Sequence, residues 1–239
     1  MFPIKNIRAH VTERLDTTVT VLKKHRNNSQ PIVIEETENN DKKVKNNEEP
    51  LLKVSITNVP KDNVWIFENE FNHAEYPIPL NKQKSAFTAA GTKVEKTIIL
   101  HRNERLYLFM FEMKRTMTLD NFVKIKDKLE CSLSTMSIFI SAHFDFPSFE
   151  NSQIYPIGIC CYNYEDCSLE RYQHQSTTQR IFKQKYIDEQ ERVCLLSVEP
   201  LTLNRLSMPI IFCANDNNPI TKSFDIDLES ILERVSSMF

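Results

Sequence analysis

Glu95, Glu112 and Lys114 are the side chains whose types and spacing suit hydrolysis at a phosphate. Two β-prone runs, Val94 to His101 and Arg105 to Met113, are divided by Arg102-Asn103-Glu104-Arg105, a length that suits a tight hairpin. If the hairpin closes around Asn103 and Glu104, His101 pairs with Leu106, Thr97 with Met110 and Glu95 with Glu112. Opposed side chains in such a ladder lie about 4.5–5.5 Å apart at Cβ. Lys114 shares their face, one diagonal away. Facing carboxylates repel unless a metal ion or an ammonium compensates them. Carboxylate oxygens suit Mg²⁺ or Mn²⁺, which keep several waters and also take phosphate oxygens. Such an ion polarises a phosphodiester and activates a water, and a neighbouring lysine orients that water and stabilises the growing negative charge. The competing reading is an ordinary solvated Glu-x-Lys pair, worth less than about 1 kcal/mol.

The elements that must hold these groups read as follows. Leu106 to Phe111 is apolar on both faces and marks a central strand. Thr118 can cap a helix with apolar positions Leu119, Phe122, Leu129 and Leu133 and with Lys124, Lys126 and Lys128 between them. Met136 to Ala142 reads as a further buried strand. Upstream, Leu52 to Val59 alternates as a half-buried strand that stops at Pro60, and a polar stretch with Pro77 and Pro79 reads as loop. Ile7 to Arg26 has spaced apolar residues that suit a helix, and residues 36–50 are too polar to bury surface and read as a mobile loop. Downstream, strands are expected near Ile154 to Tyr162, Val193 to Val198 and Pro209 to Cys213. Helices are expected from about Ser168 to Arg192 and from Asp227 to Met238. The fold class is α/β, organised as an N-terminal segment (1–50), a core (51–150) and a C-terminal α/β extension (151–239), which can belong to the same domain.

An acidic residue, a tight hairpin, a strand ending in Glu-x-Lys, a helix and a buried strand follow in order here, and in this the sequence resembles the PD-(D/E)xK, or restriction-endonuclease-like, nuclease superfamily over about residues 51–146. The resemblance implies a core of helix, three-stranded meander, helix and strand. It implies metal ligation by Glu95 and Glu112 and action of Lys114 on the nucleophilic water. The stretch Lys93-Val94-Glu95-Lys96-Thr97-Ile98-Ile99-Leu100 stands where the family usually has an Asp before hydrophobic residues, so Glu95 is a departure. The first helix of that core often adds an acidic ligand, for which Glu70 is the choice among Glu68, Glu70 and Glu75. The later helix flanks the site, so Lys124 and Lys128 are candidate phosphate contacts; the alternative is solvated lysines. The activity implied is metal-dependent hydrolysis of DNA phosphodiesters, in restriction, repair or phage defence, with RNA as a less favoured substrate. A homodimer or a larger defence complex is compatible with it. The alternative is a catalytically inactive nuclease-fold subunit for binding or assembly.

Composition narrows the field further. Gly91 and Gly158 are the only glycines, so a glycine-rich phosphate cradle is excluded. A net charge of −2 restricts any nucleic-acid contact to a local surface. Six cysteines lie mostly in apolar runs without framework spacing, which predicts reduced, buried thiols. A zinc site on Cys160, Cys161, Cys167 and His174 is the rival use of them, although no paired metal-ligand spacing is present. The absence of a long uncharged apolar segment predicts a cytoplasmic chain that does not span a membrane.

Overall fold

The computed structural model describes residues 22–24, 30–36, 52–60, 64–67, 94–103, 105–114, 119–143, 154–163, 193–199, 205–215 and 223–236. Among them the chain is mixed α/β, with two sheets and two helices. The larger sheet contains β1 (Leu22–Lys24), β4 (Val64–Phe67), β5 (Lys96–Arg102), β6 (Arg105–Lys114), β7 (Ile154–Asn163), β9 (Leu206–Asn215) and β8 (Val193–Val198), side by side in that order. The smaller one has β3 (Leu52–Thr57) between β10 (Ser223–Asp227) and β2 (Ile32–Glu36). The helices are α1 (Leu119–His143) and α2 (Leu228–Ser236).

β6 is the middle strand of seven, and every residue from Leu106 to Met113 is buried, as a strand apolar on both faces requires. Its two faces serve two layers. Tyr107, Phe109, Phe111 and Met113 join Ile34, Val54, Ile56, Ile226, Leu228 and Val235 in one core, so the small sheet and α2 cover that side. The other face meets α1, which packs across β6, β7 and β8. Its inward stripe Ile125, Leu129, Leu133 and Met136 is buried at helical spacing. Gly158 of β7 lets the two come close: a Cβ there would lie 3.3 Å from Leu129 Cδ1 and 3.2 Å from Ile210 Cγ1.

β4, β5 and β6 form an antiparallel meander, and β7, after α1, lies parallel to β6. The β5–β6 ladder runs from Arg102 opposite Arg105 through His101 opposite Leu106 to Lys96 opposite Phe111, which is the register inferred from the loop length. Asn103 takes φ 50° in the turn, a conformation that asparagine tolerates and that two-residue hairpins demand.

Several expectations are corrected. Met136 to Ala142 is not a strand: α1 continues unbroken to His143. The hydroxyls of Ser134 and Thr135 donate to the carbonyls of Glu130 and Cys131, so these residues are satisfied inside the helix. Leu22–Lys24, expected inside an N-terminal helix, is a strand paired with β4. Val64–Phe67, in a stretch that reads as loop, is a strand of the meander. The closing helix starts at Leu228, after an unforeseen strand that pairs in parallel with β3. Strands of the segments 1–50, 51–150 and 151–239 thus hydrogen-bond to one another. Glu36, the first residue of the loop expected at 36–50, ends β2; the rest of that loop, the Thr118 cap and the helix at 168–192 lie outside the described residues. No helix among the described residues is long and apolar enough to cross a membrane.

Candidate metal and phosphate site

The α1-facing side of the sheet collects the polar groups. Along β6, alternation sends Glu112 and Lys114 to that side, and along β5 it sends Thr97 there with Glu95 just before the strand. The β5–β6 ladder stops one pair short of Glu95 and Glu112, but the two carboxylates share a partner. Lys128 Nζ of α1 lies 2.7 Å from Glu112 Oε1 and 3.2 Å from Glu95 Oε1. Lys114 Nζ lies 2.5 Å from Glu112 Oε1 and 3.0 Å from the carbonyl of Met113, to which it donates. The helix is fixed against the β5 entry by the Val94 amide, which donates to Ser132 Oγ at 2.9 Å in a buried contact. Ser132 stands one turn beyond Lys128, so one helix face holds both the backbone beside Glu95 and the ammonium between the carboxylates.

Burial grades across the cluster. The Glu112 side chain is 0% exposed, Lys114 16%, Lys128 19% and Glu95 32%, so the site opens outward from a sealed carboxylate. Both ammoniums pair with Oε1, and Glu112 Oε2 has no hydrogen-bond partner among the described residues. Thr97 Oγ1, on the same face, is also buried without one. Desolvation pushes the Glu112 carboxyl above its ordinary range, against the pull of Lys114 and Lys128. Burial also acts to lower Lys128, but Glu112 and Glu95 together outweigh it and raise the ammonium. The asymmetry follows from exposure: Lys128 keeps some water and has two carboxylates to answer it, whereas Glu112 keeps none.

These donors fit a hard divalent cation. Glu112 offers an unused oxygen, Glu95 a part-exposed carboxylate, and waters can complete the shell of an ion that favours one or two protein carboxylates. Among the described residues no group of three or more potential ligand side chains forms, and Glu70 lies outside them. The zinc alternative loses its basis in β7. Cys160 and Cys161 are consecutive in a strand and face opposite sides, and only Cys161 belongs to the core beneath the small sheet. Cys167 and His174 lie outside the described residues. Cys131, Cys160, Cys161, Cys194 and Cys213 are thiols and not disulfide-bonded, and burial holds the Cys161 thiol well above its ordinary range.

Glu95, Glu112 and Lys114 are therefore brought together as the hairpin register implies. Lys124 is exposed on α1, whereas Lys128, expected to face phosphate, turns inward. The sequence reading missed this role, and also those of Thr97 and Ser132. The available signal was that Lys128 falls beside Leu129 and one turn before Ser132 on the inward stripe. No protein-family model matches the chain, and no curated protein or solved structure is significantly similar to it.

Proposed function

We propose that this chain is a divalent-metal-dependent nuclease that hydrolyses DNA phosphodiesters, built on a restriction-endonuclease-like core. The observation that carries the reading is the sealed Glu112 carboxylate, with an oxygen lacking a hydrogen-bond partner among the described residues, on the strand that also bears Lys114 and joined to Glu95 through Lys128. The order of antiparallel meander, α1 and strand supports it, because it matches the later part of the helix, meander, helix and strand that the PD-(D/E)xK resemblance implies, with β7 standing where Met136 to Ala142 was expected.

Glu112 and Glu95 would hold Mg²⁺ or Mn²⁺, which supplies polarisation of the phosphodiester and acidification of a water. Lys114 sits at the boundary between sealed and open parts of the site, where its ammonium orients the attacking water and stabilises charge on the phosphate oxygens. Lys124, exposed on the adjoining helix, positions the nucleic-acid backbone without reading sequence. A homodimer or a larger defence complex would place two such sites on the two strands of a duplex.

A second reading has its own observation. Lys128 bridges both carboxylates and, with Lys114, balances their charge internally, which suits a nuclease-fold subunit that binds or assembles without cutting. Incubation of the protein with plasmid, linear and single-stranded DNA and with RNA, in Mg²⁺, Mn²⁺ or chelator, separates the two. Cleavage of DNA that requires metal and disappears in Glu112→Ala and in Lys114→Ala is the expected result. Metal-independent cleavage, or activity unchanged in those variants, would overturn the nuclease reading. Absence of cleavage alongside measurable metal binding favours the assembly subunit.

A further inference from the structure

Lys128 occupies the space between the two candidate ligands, and the position has a consequence for how a metal enters. Its ammonium is 2.7 Å from Glu112 Oε1 and 3.2 Å from Glu95 Oε1, bridging carboxylates that come from different strands. A divalent ion held between Glu95 and Glu112 would occupy that same gap together with its water shell, so ion and ammonium could not share it. The rest of the cluster does not have to change. Lys114 pairs with Glu112 alone, and Oε2 is already without a partner among the described residues. Lysine also has the right stem for leaving: four flexible methylenes carry a compact, readily hydrated charge. Its side chain retains 19% exposure, so a path to water is present. One turn toward the N-terminus of α1 stands exposed Lys124.

We propose that Lys128 is a built-in placeholder for the catalytic cation: its ammonium holds Glu95 and Glu112 together in the metal-free protein, and a divalent ion binds by displacing it toward Lys124, where the two lysines form the phosphate-binding edge of the site. This rests on the metal-site reading above. It deepens that reading by making Lys128 a positioning residue whose charge competes with the metal, and it couples metal entry to the appearance of a second cation for the nucleic-acid backbone. Without the placeholder, two carboxylates on adjacent strands would repel across the gap. With it, the apo site is held near its loaded geometry, and an ion gains a site only by exchanging one cation for another.

Two measurements on the full chain test this. Calorimetry with Mn²⁺ alone compares wild type with Lys128→Met, which keeps the stem and removes the charge. The variant is expected to bind Mn²⁺ about tenfold more tightly, within the usual range of coupling between two ligands. Acetylation of wild-type protein with an amine-reactive ester, read by mass spectrometry, needs no variant to fold. Lys128 is expected to be modified slowly without metal and several-fold faster in saturating Mn²⁺, while exposed Lys124 is unchanged. Equal or weaker binding by Lys128→Met, or Lys128 labelling indifferent to bound Mn²⁺, overturns the placeholder while leaving the metal site standing. Failure of both proteins to bind Mn²⁺ overturns the placeholder and the metal-dependent reading together.

Discussion

At the scale of single residues, the candidate site is defined by polar atoms that folding has removed from water without full compensation. Glu112 and Thr97 lie on one face of adjacent strands, each with an oxygen that finds no partner among the described residues. An unsatisfied buried hydroxyl costs about 1–3 kcal/mol, whereas an apolar group of the same shape costs nothing comparable. Thr97→Val is therefore expected to stabilise the fold by about 1 kcal/mol in urea unfolding. A loss of stability in Thr97→Val would show that the hydroxyl has a partner, such as a water held against Glu112, that the variant expels. The charged members behave differently. The carboxylates and ammoniums constrain one another, so truncating one leaves another uncompensated, and cleavage and metal binding are the readouts that separate their roles.

At the scale of elements, two junctions decide whether the pieces meet in register. One is the Val94 amide on Ser132, which locks α1 over the entry to β5. The other is the start of α2. Asp227 Oδ1 accepts the Ser230 amide at 3.0 Å, and Oδ2 accepts the Asn58 side-chain amide at 2.7 Å. Asn58 itself takes the left-handed φ of 48° at the end of β3, so a strand end and a helix cap share one carboxylate. The Ser230 hydrogen bond, aided by Asn58, holds the Asp227 carboxyl below its ordinary value of 3.8. A depressed carboxyl contributes stability that is complete above the unfolded value and is lost as pH falls through the folded one. Asp227→Ala should cost about 1 kcal/mol at neutral pH, the usual worth of an N-cap. Asp227→Asn should keep most of the cap while flattening the decline of stability below pH 3.8. An acid limb identical to that of the wild type in the Asn variant would refute the assignment.

At the scale of the whole molecule, the small sheet and α2 act as the second wall of the core, and residues distant in sequence build it. β10 pairs in parallel with β3, and Ile226, Leu228, Ile231, Leu232 and Val235 are buried beneath the large sheet. At about 1.5–3 kcal/mol for each fully buried aliphatic side chain, these residues rival the net stability of about 5–15 kcal/mol typical of a folded domain. A chain ending before Ser223 is expected to lose cooperative thermal unfolding and to bind a hydrophobic dye. Retention of a sharp transition by that truncated chain would show that the segment is an appendage to the large sheet. The same wall bears on the site from behind: Phe111 and Met113 in the core flank Glu112 on β6, so loosening the small sheet loosens the strand that carries the carboxylate.

Legibility followed the range of the forces involved. The Arg102–Arg105 connection and the alternation of two flanking runs were enough to set the β5–β6 register, and with it the shared face of Glu95, Glu112 and Lys114, because turn length and a period of two are local properties. Val193–Val198 and the burial of β6 were legible for the same reason. Met136 to Ala142 was not: a short apolar run carries no period of its own, and continuation of the inward stripe through Leu133 and Met136 made it helix. Val64–Phe67 and Ser223–Asp227 are strands because β5 and β3 offer them edges, which no local pattern encodes. Lys128 illustrates the division. Its charge and its place on a helix are written in the sequence, but that it bridges Glu95 and Glu112 was decided only when α1 packed across β6, since a long flexible side chain takes its partner from whatever the tertiary fold brings within reach.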